Sequence, residues 1–408
     1  MSSCYILVLL PISLIVPPYI YCPVHLDRNY DNHRISTVNT KAMPSNVAAY
    51  TILKPTKHLE VKEAPYTKPE SNQVVVRNHA VAVNPVDWKL PIFGAFAWLK
   101  FPFVLGTDSA GEIVEIGSKV TRFKVGDRVL GQAAGIDEKF NTSAQGAFQL
   151  YTVLLEDMTT TIPDTIPYEN AAVLPLGLST AACALFQKDQ LNLKLPTLSS
   201  KPTGKTLLIW GGSTSVGSNA IQLAVAAGYE VITTSSPRNF AYCKSLGAGQ
   251  AFDYNSLTVI PDIIAAYKGK TTAGALTMGA GSAEAAMDIL HHCTGNKFVA
   301  MASFPEPAIP PKRFVVLQIV VTFISFLVAQ TIKSRLRGIG WKFVFGSTLV
   351  HNGVGRAVYA DYLGQALEKG VYQCKPDPMV VGHGLEKMQE AFDVQKAGVS
   401  AKKVVVTL

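Results

Sequence analysis

The residues best suited to chemistry lie in one short run, Thr206 to Ala227, which reads TLLIWGGSTSVGSNAIQLAVAA. Gly211 and Gly212, the hydroxyl residues Ser213, Thr214 and Ser215, then Val216 and Gly217 come after an apolar stretch. They precede a helical pattern of Ile221, Leu223, Ala224 and Ala227. Glycines let a backbone come close to a bulky anion, and the N–H groups at a helix start turn partial positive charge toward it. Strand, glycine turn and helix in that order form the first unit of a dinucleotide-binding fold. The spacing departs from strict G-x-G-x-x-G, so the placement between strand and helix carries the inference.

The next apolar strand bears on which dinucleotide is bound. It spans Glu230 to Thr234 and runs into Ser235, Ser236, Pro237, Arg238 and Asn239. An NAD site usually presents an acidic residue here, about 20 residues past the glycines, for the ribose 2′-hydroxyl. No acid stands at this strand end. Two hydroxyls and a guanidinium can donate to a 2′-phosphate instead, a role that suits arginine's planar fork. The alternative is a solvated turn with a capping serine. The balance favours NADPH over NADH.

Other reactive side chains form no constellation. His79, His291, His292, His351 and His383 show no triad or metal spacing and read as structural. Cys4, Cys22, Cys183, Cys243, Cys293 and Cys374 lie far apart, with no C-x-x-C pair. That argues against a zinc lobe or a disulfide framework and for a reducing compartment, the cytoplasm. The net charge of +8 is scattered, the nearest cluster being Lys333, Arg335, Arg337 and Lys342. Without an aromatic-interleaved basic patch, it indicates a surface suited to an anionic cofactor or substrate and no nucleic acid.

The elements that must position these groups come in two patterns. At 408 residues the chain has room for two domains. From Met43 to about Tyr168, short strands alternate with Gly and Pro, as in Val74 to Val76, Ile113 to Ile116, Arg128 to Leu130 and Phe148 to Val153. This predicts a compact β-rich domain of barrel type. From about Glu169 onward, helices and strands alternate, as in a parallel sheet with crossover helices. The tail from about Tyr362, with a helix and a strand at Lys403 to Thr407, is expected to fold back onto the first domain. The domains are thus 43–168 with 362–408, and 169–361.

Residues 1–42 match neither pattern. Ile6 to Val16 is apolar, but no Lys or Arg occurs in residues 1–27 and Pro11 interrupts the run, so the signal- or anchor-like character is weak. Phe314 to Ile332 is uncharged and long enough to cross a membrane. Yet it lies between one strand of the parallel sheet and sequence that must return to that sheet. A buried or substrate-lining helix is expected, with surface membrane contact as the intermediate case. Membrane association through 6–20 or 314–332 is the alternative to a purely cytoplasmic location.

The run Pro102 to Leu130, PFVLGTDSAGEIVEIGSKVTRFKVGDRVL, resembles the signature of the medium-chain dehydrogenase/reductase superfamily. The matching positions are Pro102, Gly106, Asp108, Ala110, Gly111, Gly117, Gly126, Asp127 and Val129. Asn84-Pro85-Val86-Asp87-Trp88-Lys89, the glycine turn and the ending GVSAKKVVV reinforce it, so that about residues 43–408 are covered. Within the superfamily the chain is most similar to fungal trans-acting enoyl reductases and toxin-cluster oxidoreductases, which are quinone-oxidoreductase-like and zinc-free. The resemblance implies an α/β fold, with a GroES-like β-rich barrel-type catalytic domain and a Rossmann domain holding a doubly wound parallel sheet. Zinc members carry a cysteine in the segment equivalent to Asn84–Lys89 and a His-Glu pair after the glycine equivalent to Gly106. This chain has Val86, Asp87 and Trp88, then Thr107 and Asp108, so no metal is expected.

The resemblance also implies contacts. Val86, Asp87, Trp88 and Lys89 would approach the nicotinamide ribose, with Lys89 on a ribose hydroxyl. Ser213, Thr214, Ser215 and Val216 would hold the pyrophosphate, and Ser236, Pro237, Arg238 and Asn239 the 2′-phosphate. Tyr254 would lie along the adenosine, while Val399 and Ser400 would close over the nicotinamide end. Thr180 matches a threonine beside the nicotinamide and the substrate carbonyl. Thr180 as a helix cap, Tyr254 as a core aromatic and Lys89 as a solvated lysine stay open as alternatives. The expected reaction is hydride delivery from NADPH to the β-carbon of an α,β-unsaturated carbonyl, with Thr180 and Lys89 as catalytic candidates. An acyl or polyketide substrate and a partner polyketide synthase are implied. A quinone or general carbonyl reductase and a non-catalytic NADPH-binding protein are the alternatives.

Overall fold

The computed structural model describes residues 44–52, 59–93, 96, 98–305 and 315–408. The expectations for residues 1–42 lie outside them, as does most of the proline-rich stretch before the long apolar helix.

Two large sheets organise the chain. The first has strands in the order Asp377–His383, Lys402–Thr407, Gln73–Ala82, Asp108–Ile116, Arg128–Gln132 and Thr159–Thr161, with Tyr151–Leu155 also paired to Gln73–Ala82. The strand Lys402–Thr407 runs antiparallel to Gln73–Ala82, Val406 opposite Val81. So the tail completes the first sheet. A smaller sheet of Leu59–Ala64, Asn46–Thr51 and Phe103–Val104 joins it. One apolar core, including Ile113, Phe148 and Phe392, fills this lobe.

The second sheet is parallel throughout. Its order is Gln250–Asp253, Glu230–Ser235, Lys205–Trp210, Thr271–Thr277, Phe298–Met301 and Gly340–Phe343. In sequence terms this is 3-2-1-4-5-6, the doubly wound arrangement, whose ligand crevice lies outside the carboxyl ends of strands 1 and 4. Leu207, Leu208 and Ile209 are wholly buried, as expected of a strand covered on both faces.

The lobes are not separate bodies. A single core cluster runs from Ala80, Ala110 and Leu130 of the first sheet through the helix Pro175–Phe186 to Leu207 and Ile209 of the second. Ten of the twelve residues of that helix are buried. The 361/362 boundary falls inside a continuous helical stretch, Gly353–Val358, Tyr359–Leu363 and Gly364–Glu368, and the chain rejoins the first sheet only at Asp377.

One expectation is overturned. The apolar segment 314–332 forms the helix Val315–Arg337, and it is neither buried nor channel-lining. Only 6% of its most apolar 18-residue window is inside the protein. Its polar residues dock it instead: Gln330 donates to Glu284, and Lys333 and Arg337 both pair with Asp288, at 3.0 and 2.6 Å. The opposite side is left outward. Apolar composition predicted burial, but the partner helix Ser282–His291 offers carboxylates at the contact and so selects the polar face.

Candidate active site

The glycine turn is built as its sequence requires. Thr214 caps the helix Ser215–Ala226, its Oγ1 accepting from Gly217 N at 3.0 Å and donating to Gly211 O at 2.8 Å. Gly211 has φ +97°, and a Cβ on Gly217 would lie 2.2 Å from the Gly211 carbonyl oxygen. Only glycine lets the turn pack this closely on the helix start, whose first-turn N–H groups have no partner within the helix. The Ser215 hydroxyl is buried, without a hydrogen-bond partner, against Gly177.

Two other predicted segments meet this turn at one amide. Asn239 Nδ2 lies 3.2 Å from Ser213 Oγ, 3.1 Å from Ser236 Oγ and 3.2 Å from Ser400 Oγ. Asn239 is buried at the end of the single turn Pro237–Asn239, whereas Arg238 is exposed beside it. Ser400 lies between the helix Met388–Ala397 and the strand Lys402–Thr407, next to Val399. Ser400 thus departs from the nicotinamide-end position expected for it and groups with Ser213, Ser236 and Asn239. Tyr254 follows the strand Gln250–Asp253 and is 46% exposed, which rules out the core-aromatic alternative.

The Val86–Lys89 segment divides. It forms the start of the helix Pro85–Phe93. Trp88 donates its indole N–H to Gln395, with Lys89 Nζ 5.3 Å and Lys396 Nζ 5.8 Å from its ring. The indole therefore joins this helix to Met388–Ala397. Val86 and Lys89 are half-buried. Asp87 departs from its expected role as a cofactor contact. It is fully buried, its Oδ2 accepts from Asn84 N at 2.8 Å, and its Oδ1 has no hydrogen-bond partner. Burial pushes its carboxyl up to about 7, helped by the nearby Asp108 charge.

Beneath it lies a network that the sequence reading missed. Lys403 Nζ is 2.8 Å from Asp108 Oδ2, the two side chains being 4% and 0% exposed. Lys403 also donates to Asn84 Oδ1, while Asn84 Nδ2 donates to Asp108 at 2.9 Å and to Thr107 Oγ1 at 3.2 Å. The other Asp108 oxygen accepts from Leu176 N at 2.7 Å, in the first turn of Pro175–Phe186. A carboxylate here neutralises both a buried ammonium and a helix start. The signal was present: Lys403 is a charge inside the apolar strand KKVVVT, facing inward by strand alternation.

Thr180 sits in mid-helix, so the capping alternative falls. Its Oγ1 donates to Leu176 O at 2.8 Å. Gly346 is pressed against it, since a Cβ there would come within 2.6 Å of Thr180 Oγ1. From Gly346 the chain enters a cavity of about 460 Å³ lined by Phe96, Trp98 and Ile136 from one lobe and Phe345, Thr348 and His351 from the other. Phe96 and Trp98 stack at 4.7 Å. His351 Nε2 is 2.9 Å from Asp137 Oδ2, so this histidine, read as structural, stands on the cavity wall with a carboxylate partner. No spacing could show it, because the two residues are 214 positions apart. Among the described residues, no three His, Cys, Asp or Glu side chains converge as a metal site would require.

A strand–turn–helix whose tight packing admits no Cβ at Gly212 or Gly217, together with hydroxyls gathered around one amide, fits a nicotinamide dinucleotide. The comparisons agree. Residues 70–164 match the family model of the alcohol dehydrogenase GroES-like domain, and residues 215–339 that of the zinc-binding dehydrogenases. The chain is 56% identical over 369 residues to the dehydrogenase pigH of Monascus ruber, covering 90% of this chain and all of that protein. It is 38% identical to the trans-enoyl reductase himH of Aspergillus japonicus, covering 89% and 97%. A mycobacterial protein solved in complex with NADPH superposes with a TM-score of 0.63 at 19% identity, covering 89% of this chain and 100% of that one. This chain belongs to the medium-chain dehydrogenase/reductase superfamily, whose members are oxidoreductases that bind a nicotinamide cofactor.

Proposed function

We propose that the protein is an NADPH-dependent, zinc-free reductase of activated C=C bonds, an enoyl or enone reductase acting in trans on an acyl or polyketide chain in the cytoplasm. The observation that carries this reading is the chemistry of the aromatic cavity beside Thr180. Phe96, Trp98, Ile136 and Phe345 give it an apolar wall, Thr348 a hydroxyl and His351 an imidazole, and Gly346, next to Phe345, packs against Thr180, while Asp108 is held in the Lys403 network. Val86, Asp87, Trp88 and Thr107 stand where zinc members hold ligands, and none of these four is a soft or imidazole donor.

When bound, NADPH supplies a hydride for the β-carbon of the substrate. The protein's share is placement and charge. The first turn of Ser215–Ala226 holds the pyrophosphate, and Arg238 with the Ser236 and Asn239 side chains takes the 2′-phosphate. Thr180 can turn its single proton from Leu176 O to a substrate carbonyl and so hold the developing enolate oxygen. The α-carbon takes its proton from water, and His351, oriented by Asp137, is the imidazole on the cavity wall able to pass it on. The resemblance to himH supports the enoyl assignment, and a partner synthase would supply the chain.

A second reading, quinone reduction, is favoured by one feature: the stacked Phe96–Trp98 pair, a flat platform suited to a planar ring. Following NADPH oxidation with 2-enoyl thioesters and with quinones separates the two. Turnover of the thioesters alone is expected. Turnover of quinones alone overturns the assignment, and tight NADPH binding with no turnover of either would mark a non-catalytic binding protein.

A further inference from the structure

We infer that the outward face of the helix Val315–Arg337 seats this protein on an anionic lipid surface. The helix has reversed polarity for a globular protein. Inward it shows Gln330, Lys333 and Arg337 to Glu284 and Asp288, and Phe323 and Phe326 to Phe343. Outward it shows Leu317, Val321, Ile324, Val328 and Ile332, all between 54% and 60% exposed. Their spacing of three and four residues draws one stripe on one side, and Arg335 continues it by the same period. From Leu317 to Ile332 the aliphatic stripe runs about 23 Å. An unbroken aliphatic band of this length marks a contact surface.

Charge identifies the occupant. From Pro307 to Ala360 the chain has seven Lys and Arg residues and no Asp or Glu. Arg335, exposed, lies at the far end of the stripe, Lys312 and Arg313 precede the helix by three and two residues in the sequence, and Lys333 and Arg337 share a single carboxylate. A cation-rich, acid-free stretch of chain carrying an aliphatic band complements anionic headgroups over acyl chains. A second copy of the same stripe would bring these like charges together. The contact is with the surface, since the helix is tied along its inner side to Ser282–His291 and is followed at once by the strand Gly340–Phe343. It also leads to the cavity: Phe343 lies 4.8 Å from Phe304, which lies 5.3 Å from Phe345 on the cavity wall.

The test is co-sedimentation of the purified full chain with vesicles of phosphatidylcholine alone or with one-third phosphatidylserine, without substrate. The parent protein should sediment with the anionic vesicles and stay in solution with the neutral ones. The variant I324E/V328E should lose at least about tenfold in partitioning, and NADPH affinity, read by fluorescence, should be unchanged, showing that the fold survives. I324L/V328L should bind as the parent does. Equal sedimentation of the parent and the Glu variant, or none by the parent, overturns the inference. So does a parent dimer that light scattering shows as a monomer in the Glu variant, since a second copy would then cover the stripe. None of these readouts depends on the reaction catalysed.

Discussion

Replacing Asp108 by Asn should cost the protein far more than a surface charge would, and the loss should largely vanish when Lys403 is replaced as well. The pair is 2.8 Å apart with side chains 4% and 0% exposed, so solvent screening does not reduce its weight. In D108N the ammonium of Lys403 stays buried with only Asn84 Oδ1 to accept from it. An uncompensated buried charge of this kind costs about 3–5 kcal/mol, or roughly 4–6 °C in Tm for a chain of this size. In K403M the carboxylate keeps Leu176 N and Asn84 Nδ2, so the loss should be smaller, about 2–3 kcal/mol. The double variant D108N/K403M holds no buried charge, and the side-chain amide introduced at position 108 can still accept from Leu176 N. It should sit only about 1–2 kcal/mol below the parent. Urea unfolding of the four proteins measures the coupling directly. Single losses that add to the double loss within about 0.5 kcal/mol would refute the network as a unit.

Asp87 sets a pH dependence of stability. Unfolded, it releases its proton near 3.8, but folded only near 7, so the native state binds more protons between these values. Stability is therefore lost as pH rises through that window, by up to on the order of 4 kcal/mol. D87N should flatten this profile and be the more stable protein at pH 8; an equal difference from the parent at pH 5 and pH 8 would refute this. Gly346→Ala forces Thr180 Oγ1 to move, because the new methyl would lie 2.6 Å from it. Turnover should fall about tenfold or more with NADPH affinity kept, as stopped-flow and binding titrations would show. Arg238→Ala should weaken NADPH binding about tenfold in a salt-dependent way and leave NADH unaffected. Equal losses for both cofactors would place the 2′-phosphate elsewhere.

Much of the fold could be read from local pattern. The strand, glycine turn and helix at Lys205–Ala226 stand where the sequence put them, because turn chemistry and periodicity act over a few residues. The sequence singled out Ser213, Ser236, Asn239 and Ser400 one segment at a time, but not that the Asn239 amide joins them, with Ser400 among them rather than at the far end. What stayed hidden depends on distant partners. Asp108 and Lys403 are 295 residues apart and His351 and Asp137 are 214 apart, so neither pair leaves a spacing to recognise. Asp87 sits in a motif beside Trp88, yet the helix turns it inward, which neighbouring residue types do not disclose. The long apolar helix misled for a physical reason. Composition reports how much a segment gains from leaving water, whereas its docked side was chosen by two acids on another helix.

The strand carrying Lys403 has a consequence for synthesis. A ribosome releases residues 73–132 long before residues 402–407, so the first sheet must wait for its ammonium while Asp108 is already in place. Until that late strand arrives, the nascent lobe carries an unmatched carboxylate in its interior and an open strand edge along Gln73–Ala82. Interrupted translation products should therefore fail to assemble even when every strand of the second sheet has been made.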